Sequence, residues 1–540
     1  MRRTSMFIAT AGVVAGAMAA LSGCTFGAGE PSTPTTPPLS TERPGYGNPP
    51  ADAVATVTDE RIEAAVAALP ASIEQLMDET GMPGLAVAVV YGGKLIYSEG
   101  FGVRNIDSGE PVDPDTVFQL ASVSKSVGAT VVAHEVTEGV VDWDTPVALH
   151  LPEFALADPW VTEQVTIGDL YAHRSGLFKH AGDELEDLGY DRGEVLQRLR
   201  YTPLSPFRST YAYGNFDITA AAESVARAAG VDWADLSEEV LYEPLGMRST
   251  SSRFDDFMAE GNRADGHILD DDEWIVTPSQ RQPDAESPAG GVSSSATDMA
   301  AWMSMVLSAS GPDAEANDVV SPEALVPAIT AQSVSGAAAL GYQRSGFYGY
   351  GFNVGSTAGG LASVTHSGAF YLGAGTTFSM LPEAGLGIIA LANGSADGTT
   401  EAVAARFMDL AQFGEIRQDW FALYTALFTA EAGPTGELVG ESPPADAAPA
   451  RALAEYAGDY VNDYFGTARV TVVGDSLELT VGPGTVVWPL DHWDGDVFVF
   501  EPFSENAALG SVSQTTFDGS TLEIELLDEH GLGTFTRAAG

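Results

Sequence analysis

Lysine is nearly missing from this 540-residue chain. It occurs only as Lys94, Lys125 and Lys179, and 24 Lys and Arg residues together face 75 Asp and Glu. The resulting formal net charge of −51 repels polyanions, which excludes nucleic acid as a partner. The acidic residues are dispersed, with short runs such as Asp270-Asp271-Asp272-Glu273, as expected of a solvated surface rather than a cation site. Asp494-Gly495-Asp496 reads likewise as a turn, not a calcium loop. Cysteine is represented once, by Cys24, so no disulfide can form within the chain. Long apolar runs are also scarce. The N-terminal stretch Met6–Ala20 is too short for a permanent membrane-spanning helix, and no second stretch is long enough to be read as one.

That N-terminal stretch follows a positive Met1-Arg2-Arg3 and leads into Leu21-Ser22-Gly23-Cys24, which resembles the lipobox of bacterial lipoproteins. The resemblance implies a signal peptide over residues 1–23, lipidation of Cys24, and a mature protein anchored on the outer face of the cytoplasmic membrane. Residues 24–57, with Pro31-Ser-Thr-Pro-Thr-Thr-Pro-Pro38, then form a disordered tether.

Folded sequence begins near Thr58 with a helical pattern through Met77. Leu85–Tyr91, Gly92-Gly93 and Lys94–Phe101 predict a β-hairpin. Helical patterns dominate from Ser122 to about Ser308. Strand signals return at Phe347–Val354, Ala362–Gly368, Thr376–Leu381 and Leu386–Ala392, before a helix near Thr400–Phe413. Strands at both ends with helices between predict an α+β domain over residues 58–415: one antiparallel sheet built from both termini, flanked by helices, with a helical lobe inserted. Residues 416–450 read as a linker. Short alternating runs over 451–540, with turns at Gly474-Asp475 and Asp518-Gly519, predict a small all-β barrel-like domain, in whose core Trp488 and Trp493 are placed.

One of the three lysines sits in Ser122-Val123-Ser124-Lys125, at a predicted helix start. The three-residue spacing puts both side chains on one face, and an amine of lowered pKa can activate a serine. Ser122 at a helix N-terminus also places backbone N–H groups beside a developing oxyanion. Tyr213-Gly214-Asn215 supplies a tyrosine whose phenol a nearby cation would acidify, and an amide to orient the lysine or bind substrate. In His366-Ser367-Gly368, the glycine lets backbone approach a substrate, and the amide of Ala369 would complete an oxyanion hole with that of Ser122. His173 reads as scaffold.

S-x-x-K, Y-x-N and [KH]-[ST]-G in this order resemble the serine β-lactamase and penicillin-binding-protein superfamily, nearest its class C-like branch. Gly81–Gly84, Leu170–Leu177, Pro244–Met247 and Pro288–Gly291 match it too, and Tyr456–Tyr460 with Tyr464–Gly466 resemble the lipocalin-like domain appended to some members. The resemblance implies an acyl-serine hydrolase acting on an ester, amide, β-lactam or D-amino-acid peptide. Ser122 would be the nucleophile, with Lys125 and Tyr213 moving protons. Asn215, His366, Ser367, Gly368 and Ala369 would bind substrate, and no metal or organic cofactor is implied. Substrate choice and oligomeric state stay open. The alternative is a non-catalytic cell-wall-binding or sensor lipoprotein that retains the fold. His366 stands where many members carry lysine. A partly charged histidine there predicts less preference for a substrate carboxylate and an activity limb near its own titration.

Overall fold

The computed structural model describes residues 55–270, 273–337, 344–429, 433–484 and 486–539. The expected signal peptide, Cys24 and nearly all of the expected tether lie outside these residues. Among the described residues no helix is long and apolar enough to cross a membrane.

Helix α1 (Asp59–Thr80) starts where the Thr58 side chain accepts from the Arg61 amide and stops at Gly81 in the left-handed conformation. Its buried residues, Ile62, Ala65, Leu69, Ile73 and Leu76, recur every three to four positions and form one apolar stripe. The stripe lies against α5 (Thr399–Phe413) on one face of the main sheet. That sheet contains β1 (Gly84–Tyr91), β2 (Lys94–Gly102), β3 (Ser333–Gly336), β4 (Gly346–Tyr348), β5 (Asn353–Ser356), β6 (Ala362–Phe370), β7 (Ala374–Leu381) and β8 (Leu386–Ala392). Its order is β2-β1-β8-β7-β6-β5-β4-β3, with antiparallel pairing throughout.

Strand β1 reads as an unbroken apolar run because both its faces are covered. Leu85, Val87 and Val89 face the α1–α5 layer, while Ala86, Ala88 and Val90 face the helical lobe. Leu85 pairs with Ala392 and Tyr91 with Leu386, so the first and last strands of the domain are central neighbours. Helix α2 (Val123–Thr137) runs through the lobe, buried on nearly every side. Its polar groups find partners there. Ser124 Oγ accepts from Val292 N at 3.0 Å, and Ser126 Oγ donates to the Gly351 carbonyl at 2.6 Å.

The stretch expected to be a linker contains helix α6 (Trp420–Thr429). Trp420 Nε1 donates to Asp409 Oδ2 at 2.6 Å, which ties α6 to α5. Beyond it, eight consecutive antiparallel strands from Gly458–Asn462 to Thr534–Arg537 close into a barrel. Tyr456, Tyr460, Phe498, Phe517 and Phe535 fill its core, as the narrow interior of an eight-stranded barrel requires. Trp488, expected in that core, instead lies half-buried against it, with its ring 4.8 Å from that of Phe500.

The barrel and the α+β domain belong to one compact unit. Tyr190 donates to the Phe465 carbonyl at 3.0 Å, and Arg198 donates to that of Tyr464 at 2.8 Å. A Cβ on Gly466 would lie 2.3 Å from the Tyr190 hydroxyl, so a glycine is required where this ring docks. Tyr190→Ala is expected to lower stability by about 3 kcal/mol, through lost burial and an unfilled space. A thermal melt compared with wild type would show it.

Candidate active site

Ser122 enters helix α2 from Ala121, whose φ is +46°. Among the described residues four non-glycines take positive φ, and three of them, Ala121, His173 and His180, border this site. Strain of this kind persists where surrounding packing enforces it. Ser122 is the N-cap of α2 but makes no capping hydrogen bond, which leaves its hydroxyl for other partners.

One turn on, the fully buried Lys125 donates to Ser122 Oγ at 2.9 Å, Asn215 Oδ1 at 2.6 Å and the Ala289 carbonyl at 3.1 Å. Burial pulls its pKa down to about 8, against the opposing charges of Glu286 and Asp183. When the amine is neutral, Asn215 Oδ1 and the Ala289 carbonyl, which can only accept, hold its two N–H groups. The lone pair is then left for the one neighbour with a proton to give, the Ser122 hydroxyl.

Asn215 opens helix α4 (Asn215–Ala229). Its Nδ2 donates to Asp183 Oδ2 at 3.1 Å, which fixes the amide's orientation. Asp183 opens helix α3 (Asp183–Asp187) and also pairs with His180 Nδ1 at 2.9 Å. Tyr213 lines the same cleft as Ser122, and Lys125 Nζ lies 4.7 Å from its ring centre. The expected acidified phenol is not found. Burial, reinforced by Glu286 and Asp183, raises the Tyr213 pKa above its ordinary value, so this tyrosine rests as a proton donor. His173 packs on the Tyr213 ring and accepts from the Gly214 amide at 3.3 Å.

His366 departs furthest from expectation. It is 3% exposed, and burial followed by the Lys125 charge pulls its pKa down to about 3. Nδ1 lies 2.6 Å from the Ser367 carbonyl and must carry the proton, because a carbonyl only accepts. Nε2 therefore accepts from Tyr348 Oη at 2.8 Å. The ring is a neutral wall behind Tyr213, neither a partial cation nor the source of a limb near pH 6.5. Ser367 Oγ spends itself on Thr377 Oγ1 at 3.1 Å.

Strand β5 pairs with β6 only as far as Thr365, leaving 366–370 as an open edge over the serine. A Cβ on Gly368 would lie 2.8 Å from the Ser122 amide and 2.3 Å from the Leu120 carbonyl. Only glycine permits that approach, and Ala369 follows it, exposed. A cavity of about 310 Å³ joins Ser122, Tyr213, Asn215, Gly368 and Ala369 to Phe428 of α6 and to Glu505 and Asn506 of the barrel.

Several of these residues escaped the sequence reading. Asp183, Glu286 and Glu505 are lost among 75 acidic residues. Phe428 and Asn506 lie outside the domain expected to hold the site. Ala289 falls in a segment that was singled out, but nothing marks its carbonyl as a lysine ligand.

A serine, a buried amine aimed at it and a phenol beside both define a nucleophilic hydrolase. The model of the Beta-lactamase family matches residues 69–413, and the chain belongs to that family. A second model, for a domain of unknown function, matches residues 442–524. An unguisins hydrolase of Aspergillus campestris is 28% identical over 333 residues, 59% of this chain and 60% of that one. Esterase EstB of Burkholderia gladioli is 32% identical over 197 residues, 34% of this chain and 50% of that one. The chain thus spans little more than half the length of these relatives. The octameric penicillin-binding protein homologue from Pyrococcus abyssi shares the fold, with TM-score 0.57 and 20% identity over 85% of this chain and 98% of that one.

The reaction of Ser122 with a fluorophosphonate should accelerate through a limb near pH 8, where Lys125 loses its proton, with no inflection from His366. Because the Glu286 charge raises the Lys125 pKa, Glu286→Gln should move that limb down by about one pH unit. Labelling rates measured from pH 5 to 10 on both proteins test this. Lys125→Ala should slow labelling about 10³-fold while the protein stays folded by circular dichroism.

Proposed function

We propose that Ser122 is acylated by a neutral or cationic ester, amide or peptide, and that water then hydrolyses the acyl-enzyme. The contact that carries this reading is Lys125 Nζ on Ser122 Oγ, with its two other partners able only to accept. Neutral Lys125 takes the Ser122 proton as Oγ bonds to the substrate carbonyl carbon. The amides of Ser122 and Ala369 hold the oxyanion. As the bond to the leaving group breaks, the proton passes through the Tyr213 hydroxyl to that group. The same groups, run in reverse with water, release the acid and restore the serine.

Electrostatics support the substrate class. Where a substrate carboxylate would meet a fixed cation, this site has the neutral, buried His366. Arg281 is engaged by Glu186 and Glu286, and Lys179 borders the cavity from its exposed rim. The name of the Burkholderia relative, an esterase, agrees with this preference. A non-catalytic sensor draws no support from a site in which the lysine donates to the serine and lies over the tyrosine ring.

We also propose that the protein is exported and held by lipid on Cys24. Its test is fractionation, with Cys24→Ala expected to leave the membrane fraction.

In a panel of p-nitrophenyl acetate, nitrocefin and D-alanyl peptides, kcat/KM for nitrocefin should fall about a hundredfold below that for the ester. Nitrocefin turnover equal to that of the ester would overturn the substrate class. Absence of label from every serine-directed probe would overturn the mechanism.

A further inference from the structure

A second cavity, of about 170 Å³, lies where the barrel meets helix α3, and the mechanism above does not use it. His180, Asp183 and Asn506 line both this cavity and the one over Ser122, so it opens behind the catalytic cleft rather than elsewhere on the surface. Its two walls differ in kind. The barrel side offers Val486, Trp488, Phe503 and Leu526, and the α3 side offers Asp183, Glu184 and Asp187.

The acidic wall is only partly engaged. Asp187 accepts from Ser504 Oγ at 2.6 Å and Asn506 Nδ2 at 2.8 Å, closing the seam. Asp183 uses Oδ2 on Asn215 and His180, but its Oδ1, though buried, has no partner. Glu184 Oε2 is likewise buried without one. A buried acceptor left unpaired is destabilising, and such a group calls for a partner that a bound donor could supply. Burial, with the like charges of Asp183 and Glu529 beside it, holds the Glu184 carboxyl up at about 7. On the opposite side, apolar surface faces space: Val486 is 37% exposed. A dry apolar cavity of about 150 Å³ holds benzene, so this one matches a single phenyl ring or branched alkyl group.

We infer that this seam cavity is a substrate subsite for an apolar group bearing an N–H donor, such as a hydrophobic residue of a peptide or amine, with its body on Trp488 and Phe503 and its nitrogen toward Asp183 and Glu184. The subsite rests on the reading that Ser122 is the reacting group, and it extends that reading by naming the part of the substrate held away from the bond that breaks. It also gives the barrel a role: without the barrel the apolar wall does not exist.

Calorimetric binding of 2-phenylethylamine and ethylamine to the full chain tests the subsite without requiring turnover. The aromatic amine should bind about tenfold or more tightly than ethylamine, as burial of a ring demands. Leu526→Trp, which fills the cavity, should erase that difference. Glu184→Gln, a smaller change, should weaken 2-phenylethylamine more than it weakens 2-phenylethanol. Equal affinity for the two amines in wild type, or an undiminished preference in both variants, would overturn the subsite. Fluorophosphonate labelling of the same preparations reads the hydrolase mechanism separately, since amine binding needs no acylation.

Discussion

A primary amine sealed from water at the centre of the domain is the constraint on which the rest of this structure depends. Removing an ammonium from solvent is costly, and the protein meets that cost by surrounding Lys125 with three oxygens. Each oxygen comes from a different part of the chain: the start of α2, the start of α4, and the 288–291 segment. These elements must therefore converge on a single nitrogen. The same burial that makes the arrangement demanding lowers the pKa to about 8, which makes the amine useful as a base. Stability and reactivity here are two consequences of one desolvation.

The surroundings of that amine are tuned by charges of both signs. Glu286 and Asp183 keep Lys125 from losing its proton still more easily, and Arg281 binds the carboxylates of Glu186 and Glu286 in turn. His366, next to a buried cation and out of reach of water, has no means to stay charged. Replacement of a fixed cation by a neutral imidazole locked between Tyr348 and the Ser367 carbonyl converts a carboxylate anchor into a wall. The proposed preference for neutral or cationic substrates rests on that single difference.

The barrel is joined to this chemistry rather than merely appended to it. Its 502–509 segment reaches back to the cleft. There Glu505 accepts from the Tyr371 and Leu372 amides at 2.7 and 3.3 Å, and Leu509 N donates to Tyr371 Oη at 2.9 Å. With Tyr190 docked against Gly466 on the other side, barrel and lobe hold each other in register, and the rim of the cleft is built from both.

The sequence by itself determined a good deal: the α1 stripe, the Gly92-Gly93 hairpin, the paired strands of the sheet, the barrel-like character of the C-terminal region, and the order of Ser122, Lys125, Tyr213, Asn215 and Gly368. These are legible because local periodicity and turn chemistry set them, or because their spacing forms a pattern. Tertiary structure alone decided the protonation states and the makeup of the walls. A tyrosine expected to be acidified is a resting phenol, and a histidine expected to be half charged is neutral, because burial depth is a property of everything packed around a residue. Helix α6, read as linker, and the barrel's Asn506 reach the cleft through contacts between segments far apart in the chain. No local pattern encodes such contacts; they exist only once the two domains have closed on one another.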